Sequence, residues 1–263
     1  MELFAVLAIL GYVIAFSLLA SRLVHPEGPN RRLVTLVAGI ALLAHAIALL
    51  DAIILNNGQN FSLTNTLSLL IWFIALSITV MLPRLKVLVA APTVYASAIL
   101  AVAGLWLLPP QYITHFEAEP AALLHVIMAM LAYAVMMLAA LYALQLAAID
   151  RRLKDRQLML SSHLPPLMTV EKQLYHFIWV GFVLLTLGLV TGWVFLDHFL
   201  GDGKGHKAIL SMVAWLVYAA MLLQHHTRGV RIRTAVAYSL TGAGLLTLAY
   251  FGSRVVKELI LNS

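Results

Sequence analysis

The sequence predicts an all-α fold, a polytopic integral membrane protein built as a bundle of about eight transmembrane helices with both termini periplasmic. Three observations lead there. Of the 263 residues, 62% are hydrophobic and only 11% charged, too few polar groups to cover a water-soluble core. The apolar residues gather into eight runs, each close to the roughly 20 residues a helix needs to cross a hydrocarbon layer of about 30 Å. Lys and Arg are segregated, with thirteen of the seventeen in alternate gaps between the runs.

The runs cover residues 3–23, 33–55, 62–83, 87–108, 121–149, 174–198, 207–226 and 234–256. The first follows Glu2 without a basic start, so it reads as a span and not as a cleaved leader. Each gap carries residues that stop a helix: Pro26 to Asn30, Asn56 to Asn60, Pro83, Pro109 with Pro110, Pro165 with Pro166, Gly201 to Gly205, and Gly229. No gap resembles a domain linker and no repeat is evident, so residues 1–263 read as a single transmembrane domain. The long connector from Asp150 to Gln173 is basic and is expected to hold a short surface helix.

Cytoplasmic loops are enriched in Lys and Arg. The first, third, fifth and seventh gaps hold Arg22, Arg31, Arg32, Arg84, Lys86, Arg151, Arg152, Lys154, Arg156, Lys172, Arg228, Arg231 and Arg233, whereas the other side holds only Lys204, Lys207, Arg254 and Lys257. An odd number of spans would destroy this segregation. The basic residues thus orient the chain, as a multi-pass protein of the bacterial inner membrane in contact with lipid, and call for no nucleic acid partner. The chain has no cysteine, which excludes disulfides, iron–sulfur clusters and thioether-linked haem.

Ten histidines in so apolar a chain are the main chemical signal, because a polar ring in lipid needs a partner or a ligand. His125 lies about one turn inside the fifth span and shares a helical face with Met128, Ala129 and Ala132, a small surface suited to a flat apolar ligand. It reads either as a metal ligand or as an interfacial histidine bonded to a carbonyl. His226 closes the seventh span, about three turns beyond Trp215, and reads either as a ligand or as a cap on the last carbonyls. His225 points about 100° away and is the weaker candidate. His176 opens the sixth span and either approaches His226 or reaches to water. Trp193 and Trp215 flank the connector between the sixth and seventh spans. His45 and Asp51, six residues apart in the second span, do not share a face, which argues against a proton relay. Asn65, Thr66 and Ser68 read as helix-packing residues, as does the Gly188/Gly192 pair. No nucleotide loop, HExxH or dinucleotide fingerprint is present and no carboxylates pair inside the spans, so no enzyme activity is expected.

From about residue 62 to 256 the order of motifs resembles the transmembrane cytochrome c assembly family, haem-handling proteins that include the CcsA and HemX groups, and within it the YpjD type. The segments that carry the resemblance are LLHVIMAMLAYAVMMLAALYALQ from Leu123, GFVLLTLGLVTGWVF from Gly181, HKAILSMVAWLVYAAMLLQHHTRG from His206 and TLAYFGSRVV from Thr247. The resemblance implies non-covalent haem with axial histidines, His125 matching the outer histidine of the family and His226, in its HTR triplet, the inner one, with His176 the candidate second ligand and Trp193 and Trp215 as haem neighbours. Two family features are missing: the connector from Asp197 to Lys207 has no tryptophan-rich WWD motif, and Arg254 and Lys257 stand where a second outer histidine would follow the last span. The expectation is a non-catalytic haem-binding or haem-handling membrane protein with haem and other inner-membrane proteins as partners. The alternatives are a structural or regulatory subunit of another membrane complex and, less favoured for lack of buried carboxylates, a small-solute transporter.

Overall fold

The computed structural model describes residues 2–22, 28–55, 58–83, 90–107, 113–114, 120–154, 167–195 and 205–252. Among them are eight helices long and apolar enough to cross a membrane, so the fold is all-α and polytopic. They are α1 (Glu2–Ala20), α2 (Arg31–Ile53), α3 (Leu63–Met81), α4 (Ala90–Leu107), α5 (Pro120–Lys154), α6 (Leu167–Phe195), α7 (Gly205–Arg228) and α8 (Ile232–Thr247), the last continuing as one π-helical turn over Leu248–Gly252.

The helices form two compact units. In the first, α1 packs on α2 and α4, and α3 on α2 and α4. The buried stripe of α1 is Ala5, Ala8, Tyr12, Ala15 and Leu19, a spacing of three and four that lays small side chains along one seam. The seam is tight enough that a Cβ on Gly11 would lie 2.7 Å from the Ala41 Cβ and 3.3 Å from its Cα. Leu3, Leu7, Leu10 and Ile14 occupy the opposite, exposed face, as lipid contact requires.

Three short strands accompany this unit and were not foreseen from sequence: β1 (Ile54–Leu55), β2 (Gly58–Asn60) and β3 (Ile113–Thr114), paired antiparallel in the order β1-β2-β3. They are too short to show alternation. The polar start of α3 serves them. Asn65 donates from Nδ2 to the carbonyls of Ala52 at 3.1 Å and Asn60 at 2.9 Å, Thr66 donates to the Phe61 carbonyl at 3.2 Å, and Ser62 caps α3 by accepting from the Asn65 N–H. These side chains satisfy backbone groups where helix gives way to loop.

In the second unit α6 packs on α5 and α7, and α8 on α5 and α7. Helices α5 and α6 run antiparallel in long contact: Gly188 lies against the Ala129 backbone, Gly181 against Met136, and Tyr142 against Phe177 with ring centroids 4.9 Å apart. Both helices outrun the apolar runs that announced them. α5 has 35 residues, about 52 Å of helix, because Arg151 to Lys154 are good helix formers that favour the negative end of the dipole; Lys154 closes an i,i+4 bond to Asp150 at 2.5 Å. α6 spans Leu167–Phe195, so it is helical from seven residues ahead of the apolar run that opens at Leu174. Of the connector from Asp150 to Gln173 expected to hold a surface helix, the two ends belong to α5 and α6 and residues 155–166 lie outside the described residues.

Candidate functional site

At one end of the second unit, half-buried His125 on α5 meets Thr191 on α6, with Nδ1 3.3 Å from the threonine Oγ1. The threonine proton has its own acceptors, the carbonyls of Leu187 at 2.9 Å and Gly188 at 3.1 Å. With that proton on a carbonyl, Thr191 Oγ1 can accept from Nδ1–H, an arrangement in which Nε2 keeps its lone pair. The same device recurs on α6. Thr186 donates to the Phe182 carbonyl at 2.7 Å and accepts from the Trp215 indole N–H at 2.8 Å, while the Trp215 ring stacks on Phe182 at 5.3 Å and 23°.

The two threonines are five positions apart, which sets them roughly 140° apart around α6. His125 and Trp215 thus meet different faces of α6, one through α5 and the other through α7. The small stripe below His125 is used by the helix pair itself, since Ala129 abuts Gly188 and Ala132 is fully buried. Trp193, near the end of α6, is 77% exposed and belongs to the outer surface of the unit.

At the other end of the unit His176 and His226 are both exposed. The contact there runs through their sequence neighbours: Tyr175 is buried and stacks on His225 with ring centroids 3.5 Å apart and planes 18° from parallel. The weaker sequence candidate thus faces α6. The one-residue phase of α7 that decides this was not readable from a pair of adjacent histidines at a helix end. His25, His115, His163 and His198 lie outside the described residues, as does most of the connector from Asp197 to Lys207. No group of three or more His, Asp or Glu suited to a free metal ion occurs among the described residues.

The first unit holds a polar cluster that the sequence reading passed over. His45 is fully buried, with Nδ1 3.2 Å from the Tyr12 hydroxyl and Nε2 2.9 Å from Ser68 Oγ. Tyr12 stacks on Tyr95, whose hydroxyl lies 3.0 Å from Thr79 Oγ1. All four helices contribute. Asp51 is on an exposed face of α2, whereas His45 is fully buried. Tyrosine and serine among small apolar residues were the available signal, but their convergence is tertiary.

Comparison with known proteins places this architecture. Residues 33–261 match the family model for the cytochrome c assembly protein. The chain is 42% identical over 263 residues to the inner membrane protein YpjD of Escherichia coli K12, covering 99% of this chain and 100% of that one. It is 33% identical over 142 residues to an uncharacterised 28.8 kDa protein of Azospirillum brasilense, covering 53% of this chain and 52% of the other. It is also 35% identical over 80 residues to the cytochrome c biogenesis protein CcsA of Prochlorococcus marinus MIT 9515, covering 30% and 26% of the two chains. No solved structure matches it. With eight membrane-spanning helices and a family match over most of its length, this multi-pass inner-membrane chain belongs to the cytochrome c assembly protein family.

Proposed function

We propose that the chain is a non-catalytic haem-binding protein of the inner membrane, holding haem non-covalently in its second unit with His125 as an axial ligand. The observation that carries this reading is the Thr191 contact. An iron-binding histidine needs a neutral ring, a fixed tautomer and a second-shell partner on the other nitrogen, and Thr191 provides the acceptor that leaves Nε2 available. Bound haem would supply a redox-active iron; the chain's own part is to orient the imidazole and exclude water with the apolar helices around it.

The charge pattern supports an orientation with the His125 end periplasmic and the His226 end cytoplasmic. His226 and Arg228 are both exposed at the end of α7, a location suited to first contact with the propionates of haem arriving from the cytoplasm. A reporter fused to the C-terminus is expected to report a periplasmic location; a cytoplasmic signal would reverse the sidedness. A second reading, a structural subunit without haem, is favoured by one feature, the packing of Ala129 against Gly188 with Ala132 fully buried.

The absorption spectrum of protein purified from haem-replete cells separates the two. A stoichiometric Soret band is expected, lost in His125→Ala. Thr191→Val, which removes the acceptor but keeps the shape, is expected to weaken haem affinity about 10–100-fold, with Thr191→Ser near the parent. A Soret band unchanged in a folded His125→Ala protein would remove His125 as ligand, and no band in the parent would leave the structural reading.

A further inference from the structure

The turn between α7 and α8 carries positive charge that the chain around it does not balance. α7 ends at Arg228 and α8 begins at Ile232, so Gly229, Val230 and Arg231 make the whole connection. Gly229 turns it in the left-handed region at φ 71°, a conformation glycine adopts without strain. Arg228, Arg231 and Arg233 are all exposed, and none of them has an ion pair or a side-chain hydrogen bond among the described residues.

Their placement adds to the imbalance. Arg231 is the N-cap of α8 and Arg233 lies in its first turn, the positive end of the helix dipole, where cations are disfavoured. That turn holds no acidic residue. The neighbouring helices are different: Lys154 of α5 is paired with Asp150, and Lys172 of α6 directly follows Glu171. Glu171 stands one turn from Tyr175, which meets α7 at His225, yet its carboxylate pairs with none of the three arginines. The counter-charge must come from outside the chain.

The setting narrows its source. Val230 and Ile232 are half-buried between the arginines, and both helices joined by the turn are long and apolar enough to cross a membrane. Three connecting residues leave the guanidinium groups no way to rise beyond the reach of their own side chains. They stay at headgroup level, where arginine lays its stem along apolar surface and keeps its charged tip in the polar layer. A phosphate there offers oxygens that match the guanidinium fork, whereas an acidic protein segment would have to descend to the same level.

We infer that the α7–α8 turn is a docking surface for an anionic phospholipid, its headgroup phosphate held by Arg228, Arg231 and Arg233. The contact requires no haem, so haem-free protein serves for the test.

The full chain in mild detergent micelles is titrated separately with phosphatidylglycerol, phosphatidylcholine, inorganic phosphate and poly-glutamate, with retained lipid counted by native mass spectrometry and thermal unfolding followed in parallel. Phosphatidylglycerol is expected to be retained in preference to phosphatidylcholine and to raise the melting temperature. One basic residue at an anionic surface is worth about a fivefold preference. The triple variant Arg228→Gln, Arg231→Gln, Arg233→Gln is therefore expected to weaken phosphatidylglycerol binding about a hundredfold. A second triple variant, Arg151→Gln, Lys154→Gln, Lys172→Gln, removes the same charge from exposed positions on α5 and α6 and is expected to stay close to the parent. In phosphatidylcholine alone the turn variant is expected to melt at or above the parent, because it takes cations away from the positive end of α8. Equal losses in the two triple variants would overturn the docking surface, leaving only the summed charge of that end of the unit. No preference for phosphatidylglycerol in the parent, or an equal stabilisation by inorganic phosphate, would remove the lipid as partner, and stabilisation by poly-glutamate alone would assign the turn to an acidic protein. A turn variant that melts well below the parent in phosphatidylcholine would make the arginines part of the fold instead.

Discussion

Gly242→Ala is expected to destabilise the second unit sharply. A Cβ at this position would stand 2.5 Å from two ring carbons of Tyr218 and 2.8 Å from its hydroxyl oxygen, distances that only a shift of the ring or of a helix can relieve. The ring has little freedom. Tyr218 is fully buried between α7 and α8, and its hydroxyl donates to the Ser239 carbonyl at 3.3 Å. Forcing one methyl into a packed core costs typically about 1–3 kcal/mol, and the rigid aromatic neighbour puts this case at the upper end. Gly244→Ala is the internal control. It lies on the same helix with nothing within 4 Å of the added methyl, and the gain in helix propensity over glycine is about 1 kcal/mol or less. The two alanines, two residues apart, should therefore shift thermal unfolding in opposite directions. Adding Tyr218→Leu to Gly242→Ala should cost less than the two changes separately, since the smaller side chain vacates the contested volume. Equal melting temperatures for the two alanine variants would contradict the close approach of α7 and α8.

The spans were legible because lipid leaves a helix no alternative: every backbone polar group must be satisfied within the segment, so twenty apolar residues announce a helix wherever they occur. What lies outside the hydrocarbon was less legible. The ends of α5 and α6 extend through charged residues whose helicity no hydropathy pattern reveals, and β1 to β3 depend on pairing between residues as far apart as Asn60 and Ile113. The candidate site was legible by residue type but not by direction. His125 was visible as a histidine inside a span; that Thr191 would stand against its Nδ1 depends on a contact 66 positions away. At the other end, His225 and His226 differ by one residue and about 100° of helix, and the packing of α6 on α7, not either residue's identity, decided which of them met Tyr175. His45 illustrates the same limit. Its place within the second span was readable, while its burial and its partners on α1 and α3 required the bundle to be assembled.

Substitution of His45 tests whether that assembly depends on the buried cluster. His45→Leu keeps an apolar side chain of similar size but leaves the Tyr12 and Ser68 hydroxyls without the ring they bond at 3.2 and 2.9 Å. The two hydroxyls differ in what they can do next. Ser68 is helical and can turn to the carbonyl one turn earlier, as Ser77 and Thr79 do at 2.8 and 2.7 Å. The Tyr12 hydroxyl stands at the end of a rigid ring stacked on Tyr95 with centroids 5.9 Å apart and has no such retreat. Hydrogen bonds between membrane helices couple by about 0.6 kcal/mol on average and by up to about 1.7, whereas a buried polar group left unsatisfied costs about 1–3 kcal/mol. His45→Leu is therefore expected to lose about 2–3 kcal/mol, dominated by the stranded tyrosine, with Ser68→Ala costing well under half of that. Adding Tyr12→Phe to His45→Leu should recover stability, because an apolar pair leaves nothing unsatisfied. Unfolding in mixed detergent micelles, measured for the parent, the single variants and the double variant, closes the cycle. If His45→Leu cost no more than Ser68→Ala, or if Tyr12→Phe worsened it, the cluster would be a bystander to packing by α1, α2 and α3. Because the cluster is confined to the first unit, the proposed haem content of the folded fraction should not change in any of these variants, which separates a lesion in the scaffold from one at His125.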